Sequence, residues 1–141
     1  MFSFIVGTRS VKCFKFAQNE WKEFANLKQT RLDAAGIVFE DHFHIFGGYG
    51  EGARLKTTEI VSANGVVSYG PNMTIELSGL AITNLNKTSS IISGGLTNYR
   101  YSTSRTFYYN HKTQQFSDGP TLLRARYSHA SATIFGKHSI Y

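Results

Sequence analysis

The sequence predicts an all-β chain assembled from a repeated four-stranded antiparallel unit. Three observations carry this. Aromatic residues reach 14% and thirteen glycines stand against two prolines, a balance that favours short strands and tight turns. No window sustains a helical period. Landmarks also recur down the chain at a spacing of about 47 residues.

The landmarks keep one order. His44-Ile45-Phe46-Gly47-Gly48 returns as Ile91-Ile92-Ser93-Gly94-Gly95, each an apolar run closed by a double glycine. Glu59-Ile60-Val61 aligns with Thr106-Phe107-Tyr108. Ser68-Tyr69-Gly70-Pro71-Asn72-Met73 aligns with Ser117-Asp118-Gly119-Pro120-Thr121-Leu122. Arg31-Leu32-Asp33-Ala34-Ala35 returns at about twice the period as Arg126-Tyr127-Ser128-His129-Ala130.

Each unit reads as two hairpins. Ala34–Phe39 and His129–Phe135 are small and β-branched, as first strands. Glu40-Asp41-His42, Asn86-Lys87 and Gly136-Lys137 supply turn chemistry before an apolar second strand. A polar loop leads to third strands at Glu59–Ala63 and Thr106–Asn110. Turns at Asn64-Gly65 and His111–Thr113 lead to fourth strands at Val66–Tyr69 and Gln114–Phe116. Met1–Val6, Val11–Phe16 and Trp21–Phe24 read as strands two to four of an earlier unit, with Gly7-Thr8 where its double glycine belongs. Arg126–Phe135 and Lys137–Tyr141 read as the start of a later one. Phe14, Phe16, Trp21, Phe24, Ile60, Tyr108 and Phe116 are expected to pack unit against unit.

Four strands per period of this length is the signature of a β-propeller blade. The succession of Arg, small-residue strand, hairpin, Gly-Gly, aromatic strand and Gly-Pro-x-Met/Leu resembles the kelch repeat family over nearly the whole chain. The resemblance implies an incomplete kelch-type β-propeller of about three blades. It divides the chain into 1–27, a partial first blade; 28–74, a second; 75–122, a third; and 123–141, the first hairpin of a further blade. Trp21 matches the family's outer-strand tryptophan, a place taken by Val67 and Phe116 in the next repeats. The third repeat has Glu76-Leu77-Ser78 where the Arg belongs. Gly47, Gly48, Gly94 and Gly95 are structural, permitting positive φ and close backbone approach. Kelch-type propellers close with more blades than this, so the chain reads as a fragment, and its open blade edges could self-associate.

Chemistry-bearing motifs are sparse. A lone Cys13 excludes an internal disulfide and a Cys-rich zinc site, and favours a cytoplasmic setting without excluding an extracellular one. No apolar run nears the roughly 18 residues that span a bilayer. The net charge is +6, but the cations are scattered, so neither nucleic acid nor membrane is expected as a partner. His42 and His44 share a strand face, yet nothing fixes a third ligand nearby, and no metal is assigned. Two sequons begin at Asn72 and Asn86, a number that chance accounts for. No nucleophile elbow, P-loop or dinucleotide fingerprint occurs. No catalytic residue or cofactor is assigned, and the chain is read as a non-enzyme.

The resemblance places the loops after Gly-Gly and those entering each blade on one face. These are Tyr49–Thr57 and Leu96–Arg105, then Lys28–Arg31, Ile75–Ser78 and Leu123–Tyr127. They are rich in Arg and Tyr, which anchor interfaces, and Arg reads carboxylates bidentately. Arg54, Asn98, Tyr99, Arg100, Tyr101, Arg124 and Arg126 are the expected binding residues. The expected function is protein–protein interaction, with an acidic peptide or protein loop as partner. Arg31 and Arg126 have a second reading as structural pins between loops. The alternative function is a fragment of a propeller enzyme, oxidase or sialidase-like, whose catalytic residues lie in other blades.

Overall fold

A computed structural model describes residues 2–134, and no helix occurs among them. The chain opens with a long hairpin, β1 (Phe2–Lys15) and β2 (Glu20–Arg31). Two four-stranded antiparallel sheets follow. The first holds β3 (Ala35–Phe39), β4 (His42–Phe46), β7 (Thr58–Ser62) and β8 (Val67–Tyr69), hydrogen-bonded in that order. A two-stranded ribbon, β5 (Tyr49–Gly50) and β6 (Ala53–Arg54), projects between β4 and β7. The second sheet holds β9 (Ala81–Asn84), β10 (Ser89–Ser93), β11 (Thr106–Asn110) and β12 (Gln115–Asp118), again in chain order.

The layers are hairpin, first sheet, second sheet. Val11 and Leu27 of the hairpin pack on Phe43, Ile45 and Val61. The opposite face of the first sheet presents Ala35 and Phe46 to Leu80, Ile92, Phe107 and Tyr109. With both faces covered, β4 is buried from Phe43 to Phe46, His44 included. In β10 Ser90 and Ile92 are buried on one face while Ser89 and Ile91 on the other are only partly so, with Ser93 buried at the end of the strand.

The repetition extends to single hydrogen bonds. Gly48 N–H donates to Leu77 O at 2.8 Å and Gly95 N–H to Arg126 O at 2.9 Å. Thr58 Oγ1 donates to Pro71 O at 2.8 Å, and Thr106 Oγ1 to Pro120 O at 2.7 Å. Gly79 N–H donates to Asp33 O, then Ser128 N–H to Gly79 O, and all three residues have positive φ. Gly47 (φ +61) and Gly94 (φ +59) sit where a Cβ would collide with the carbonyl oxygens of Leu77 and Arg126. Glycine is therefore required twice over there, for backbone conformation and for space.

Several expectations need correction. Thr58, not Glu59, is the partner of Thr106 in the repeat, so the alignment slips by one residue. A one-residue slip exchanges the faces of a strand. Tyr109 is accordingly buried while Tyr108, expected in the core, is partly exposed. Met1 lies outside the described residues. Phe2–Val6, Gly7-Thr8 and Val11–Lys15 fall in the single strand β1, which β2 pairs from Lys15 to Thr8, and Phe16 lies in the turn that follows. Lys28–Arg31 extends β2 instead of forming a loop. Phe16 and Trp21 are half-exposed, clustered with Phe14 at the hairpin tip, where no sheet among the described residues covers them. Arg126–Ile134 forms no strand, since it has no ladder partner among the described residues. It does run beside β9, with Thr133 against Thr83 and His129 Nε2 3.0 Å from Ser93 Oγ. Phe135, the Gly136-Lys137 turn and the strand expected over Lys137–Tyr141 lie outside the described residues.

Arg31 is a pin, and a complete one. Its Nε donates to Glu59 Oε1 at 2.9 Å, with both side chains fully buried. Nη1 donates to Gly47 O and Thr57 O, and Nη2 to Gln29 Oε1 and Thr57 Oγ1. All five guanidinium donors are thus used. Glu59 also accepts from the backbone N–H groups of Lys28 and Gln29. The network ties the end of the hairpin to β4 and β7. One repeat later the same two places hold Leu77 and Phe107, both in the inter-sheet core.

Two predictions follow from this packing. Gly47→Ala and Gly94→Ala should each cost at least about 2 kcal/mol in urea unfolding, against about 1 for Gly52→Ala, whose surroundings are open. Arg31→Leu or Glu59→Phe alone should cost about 3–5 kcal/mol by leaving a buried charge unpaired. The double variant should lose less than either single one, because it installs the pair that the next repeat already uses.

Candidate binding site

Antiparallel pairing gives the two sheets a loop end and a turn end. The loop end gathers the segment before β3, the ribbon after β4, the segment before β9 and the loop after β10. A cleft of about 490 Å³ opens there between consecutive units. Arg54, Asn98 and Arg100 line it together.

Arg54 is held from several sides. Its backbone N–H donates to Asn98 Oδ1 at 2.8 Å and its Nε to Ser78 Oγ at 3.1 Å. The guanidinium lies 5.8 Å from the Tyr49 ring centroid, within cation–π range. Asn98 thereby ties the loop of the second sheet to the ribbon of the first. Arg100 sits exposed in the same loop at φ +62, a conformation that a non-glycine residue adopts at some cost and that clusters at functional sites.

The other expected binding residues spread around this cleft. Tyr99 and Tyr101 are 84% and 74% exposed on the loop that carries Arg100, outside the cleft lining. Arg124 and Arg126 are exposed beyond it, and Arg126 is anchored through its backbone to Gly95 and Thr103. Leu32, Asp33, Tyr49 and Leu96 also line the cleft; Tyr49 and Leu96 open the two loops expected on the binding face, whereas Leu32 and Asp33 lie outside the expected loops. Their signal was available, since each lies within two residues of an Arg31-type or Gly-Gly landmark.

The turn end holds a second cleft, of about 470 Å³. His42, His44 and His111 line it, so the fold places His111 beside the His-x-His pair, a neighbour that no local pattern points to. The His44 and His111 ring centroids are 5.2 Å apart, and those of His42 and His44 6.4 Å. Burial, with His111 and His42 alongside, lowers the His44 pKa to about 4. Burial also lowers that of His111, and raises that of Tyr109 to about 12. Among the described residues, no three His, Cys, Asp or Glu side chains are arranged to hold a metal ion.

No protein-family model matches the chain, and no curated protein matches it. What the site can do is therefore read from its residues. It combines the guanidinium groups of Arg54 and Arg100 with the rings of Tyr49 and Tyr127, the side chains of Leu32 and Leu96 and one carboxylate, Asp33, so that cations outnumber anions in a composition suited to carboxylates flanked by apolar groups.

Asn98→Ala should cost about 1 kcal/mol in urea unfolding and speed proteolysis within the Leu96–Arg105 loop. Unchanged protection of that loop would show that Asn98 does not hold it.

Proposed function

We propose that the chain is part of a kelch-type β-propeller and serves as a non-catalytic protein-binding module, whose loop end takes an acidic peptide or protein loop. Each four-stranded sheet is one blade in this reading. Support for the architecture comes from the hydrogen bonds that recur with the repeat, above all the pair from Gly48 and Gly95. A link from each sheet to the segment entering the next is what a radial stack of blades needs.

The observation that carries the binding role is the concentration of exposed large side chains at the loop end. Leu32, Tyr49, Tyr99, Tyr101, Leu123 and Tyr127 are all exposed there, beside Arg54, Arg100, Arg124 and Arg126. Tyrosine and arginine dominate interface hot spots. Binding sites also favour loops held on a rigid scaffold, and here two sheets supply it.

The test is a displayed random-peptide selection against the whole chain, followed by affinity measurement on the enriched peptides. Enrichment of Asp and Glu is expected. Arg54→Ala/Arg100→Ala should weaken binding at least about tenfold, or about 1.4 kcal/mol, with the fold intact by circular dichroism. Enrichment without acidic residues, or full affinity in the folded double variant, would refute the reading.

A further inference from the structure

We propose that the histidine cluster at the turn end is an acid-operated latch between the two sheets, shut while its imidazoles are neutral and opened when one takes up a proton. His44 projects from β4 and is 5% exposed, His111 follows β11 and is 4% exposed, and together they bridge the first sheet to the second. Aromatic rings enclose them. Phe39 stacks on His111 at 4.3 Å and 11°, and Tyr109 meets His111 edge-on at 5.0 Å and His44 at 6.0 Å.

Hydrogen bonding identifies the tautomer of His111. Ser90 Oγ donates its one proton to Asn84 Oδ1 at 2.8 Å. The 2.6 Å contact between Ser90 Oγ and His111 Nε2 must then be donated by the ring. His111 Nδ1 is therefore the unprotonated nitrogen, and it is buried with no partner, as is His44 Nδ1. Neutral, His111 Nδ1 leaves a lone pair unsatisfied. Protonated, it becomes a buried cation with nothing to accept its N–H, and that costs far more.

The groups facing the cluster do not relieve this. Glu40 comes from the β3–β4 turn, His42 from the first position of β4, and Lys112 and Gln114 from the β11–β12 turn, while β7 and β8 offer only Ser62 and Ser68 as polar lining. Lys112 and His42 oppose further positive charge. Glu40 is exposed and makes no hydrogen bond to either ring among the described residues.

The depressed values fix the sign. A histidine with a lowered folded-state pKa stabilises the closed form fully above its ordinary value of about 6.5, and loses that contribution as pH falls toward the folded value. For His44 that window runs from about 6.5 down to about 4. Between about pH 7.5 and about pH 5, His44 alone should raise the opening equilibrium roughly thirtyfold.

Amide hydrogen exchange of the whole chain at those two pH values, normalised to intrinsic rates, tests the latch. The expected result is a rise of that size at the turn-end amides of β4 and β11, with the β1–β2 hairpin unchanged. His44→Phe/His111→Phe should abolish the rise. A uniform rise across all strands, no rise at β4 and β11, or an undiminished rise in the folded double variant would overturn the proposal. Should that variant fail to fold, the native chain's histidine ring protons can be titrated by NMR instead. A His44 midpoint far below the ordinary value, tracked by β11 amide shifts, supports the latch. An ordinary midpoint with β11 amides unmoved overturns it.

Discussion

The close approach of backbone to backbone at the double glycines is the constraint on which the architecture rests. At Gly47-Gly48 and Gly94-Gly95 the chain leaves an inner strand in a left-handed conformation, and the second glycine's N–H reaches a carbonyl of the segment entering the next unit. A side chain at the first glycine would occupy the space of that carbonyl. The contact fixes how far apart consecutive sheets stand. Their facing side chains then fill a gap already set, Phe46 and Ala35 against Leu80, Ile92 and Tyr109.

That geometry separates two chemistries along the same strands. At the loop end, four segments from two sheets converge, and polar side chains such as Asn98 and Ser78 can hold Arg54 in place. At the turn end, short hairpins let aromatic and imidazole rings close over the inter-sheet gap. Arg31 serves a different layer. Its buried pair with Glu59 joins the hairpin to the first sheet, where the next repeat manages with Leu77 and Phe107. Equivalent positions therefore accept either a fully satisfied ionic network or an apolar contact, in keeping with the near-balance of desolvation and attraction for buried ion pairs.

Much of this was legible in the residues. Period-two strands, the Asn64-Gly65 turn and the paired glycines located seven of the eight strands of the two sheets to within about two residues, while β9 was marked only by the Asn86-Lys87 turn that follows it. The errors have identifiable causes. Matching Glu59 to Thr106 slipped one residue because both neighbours of each are plausible strand residues, and only the Thr58 and Thr106 hydroxyl bonds to the Gly-Pro turns fix the register. Gly7-Thr8 resembles the landmark glycines locally, but it lies within β1, whose pairing with β2 reaches Thr8 across a register shift between Thr8 and Ser10. Trp21 reads as core, yet its burial depends on a neighbour beyond its own hairpin. The nearness of His111 to His44 comes from packing one sheet on another across a long stretch of chain, which no local pattern encodes. The binding residues divided for a similar reason, as Arg54, Asn98 and Arg100 meet only because Asn98 bridges two units.

The most direct check is NMR measurement of the Gly48 and Gly95 amides in the intact chain, by exchange protection and by coupling across the hydrogen bond. The account predicts two slowly exchanging protons, one coupled to the Leu77 carbonyl and the other to that of Arg126. Exchange at free-loop rates with neither coupling present would contradict it.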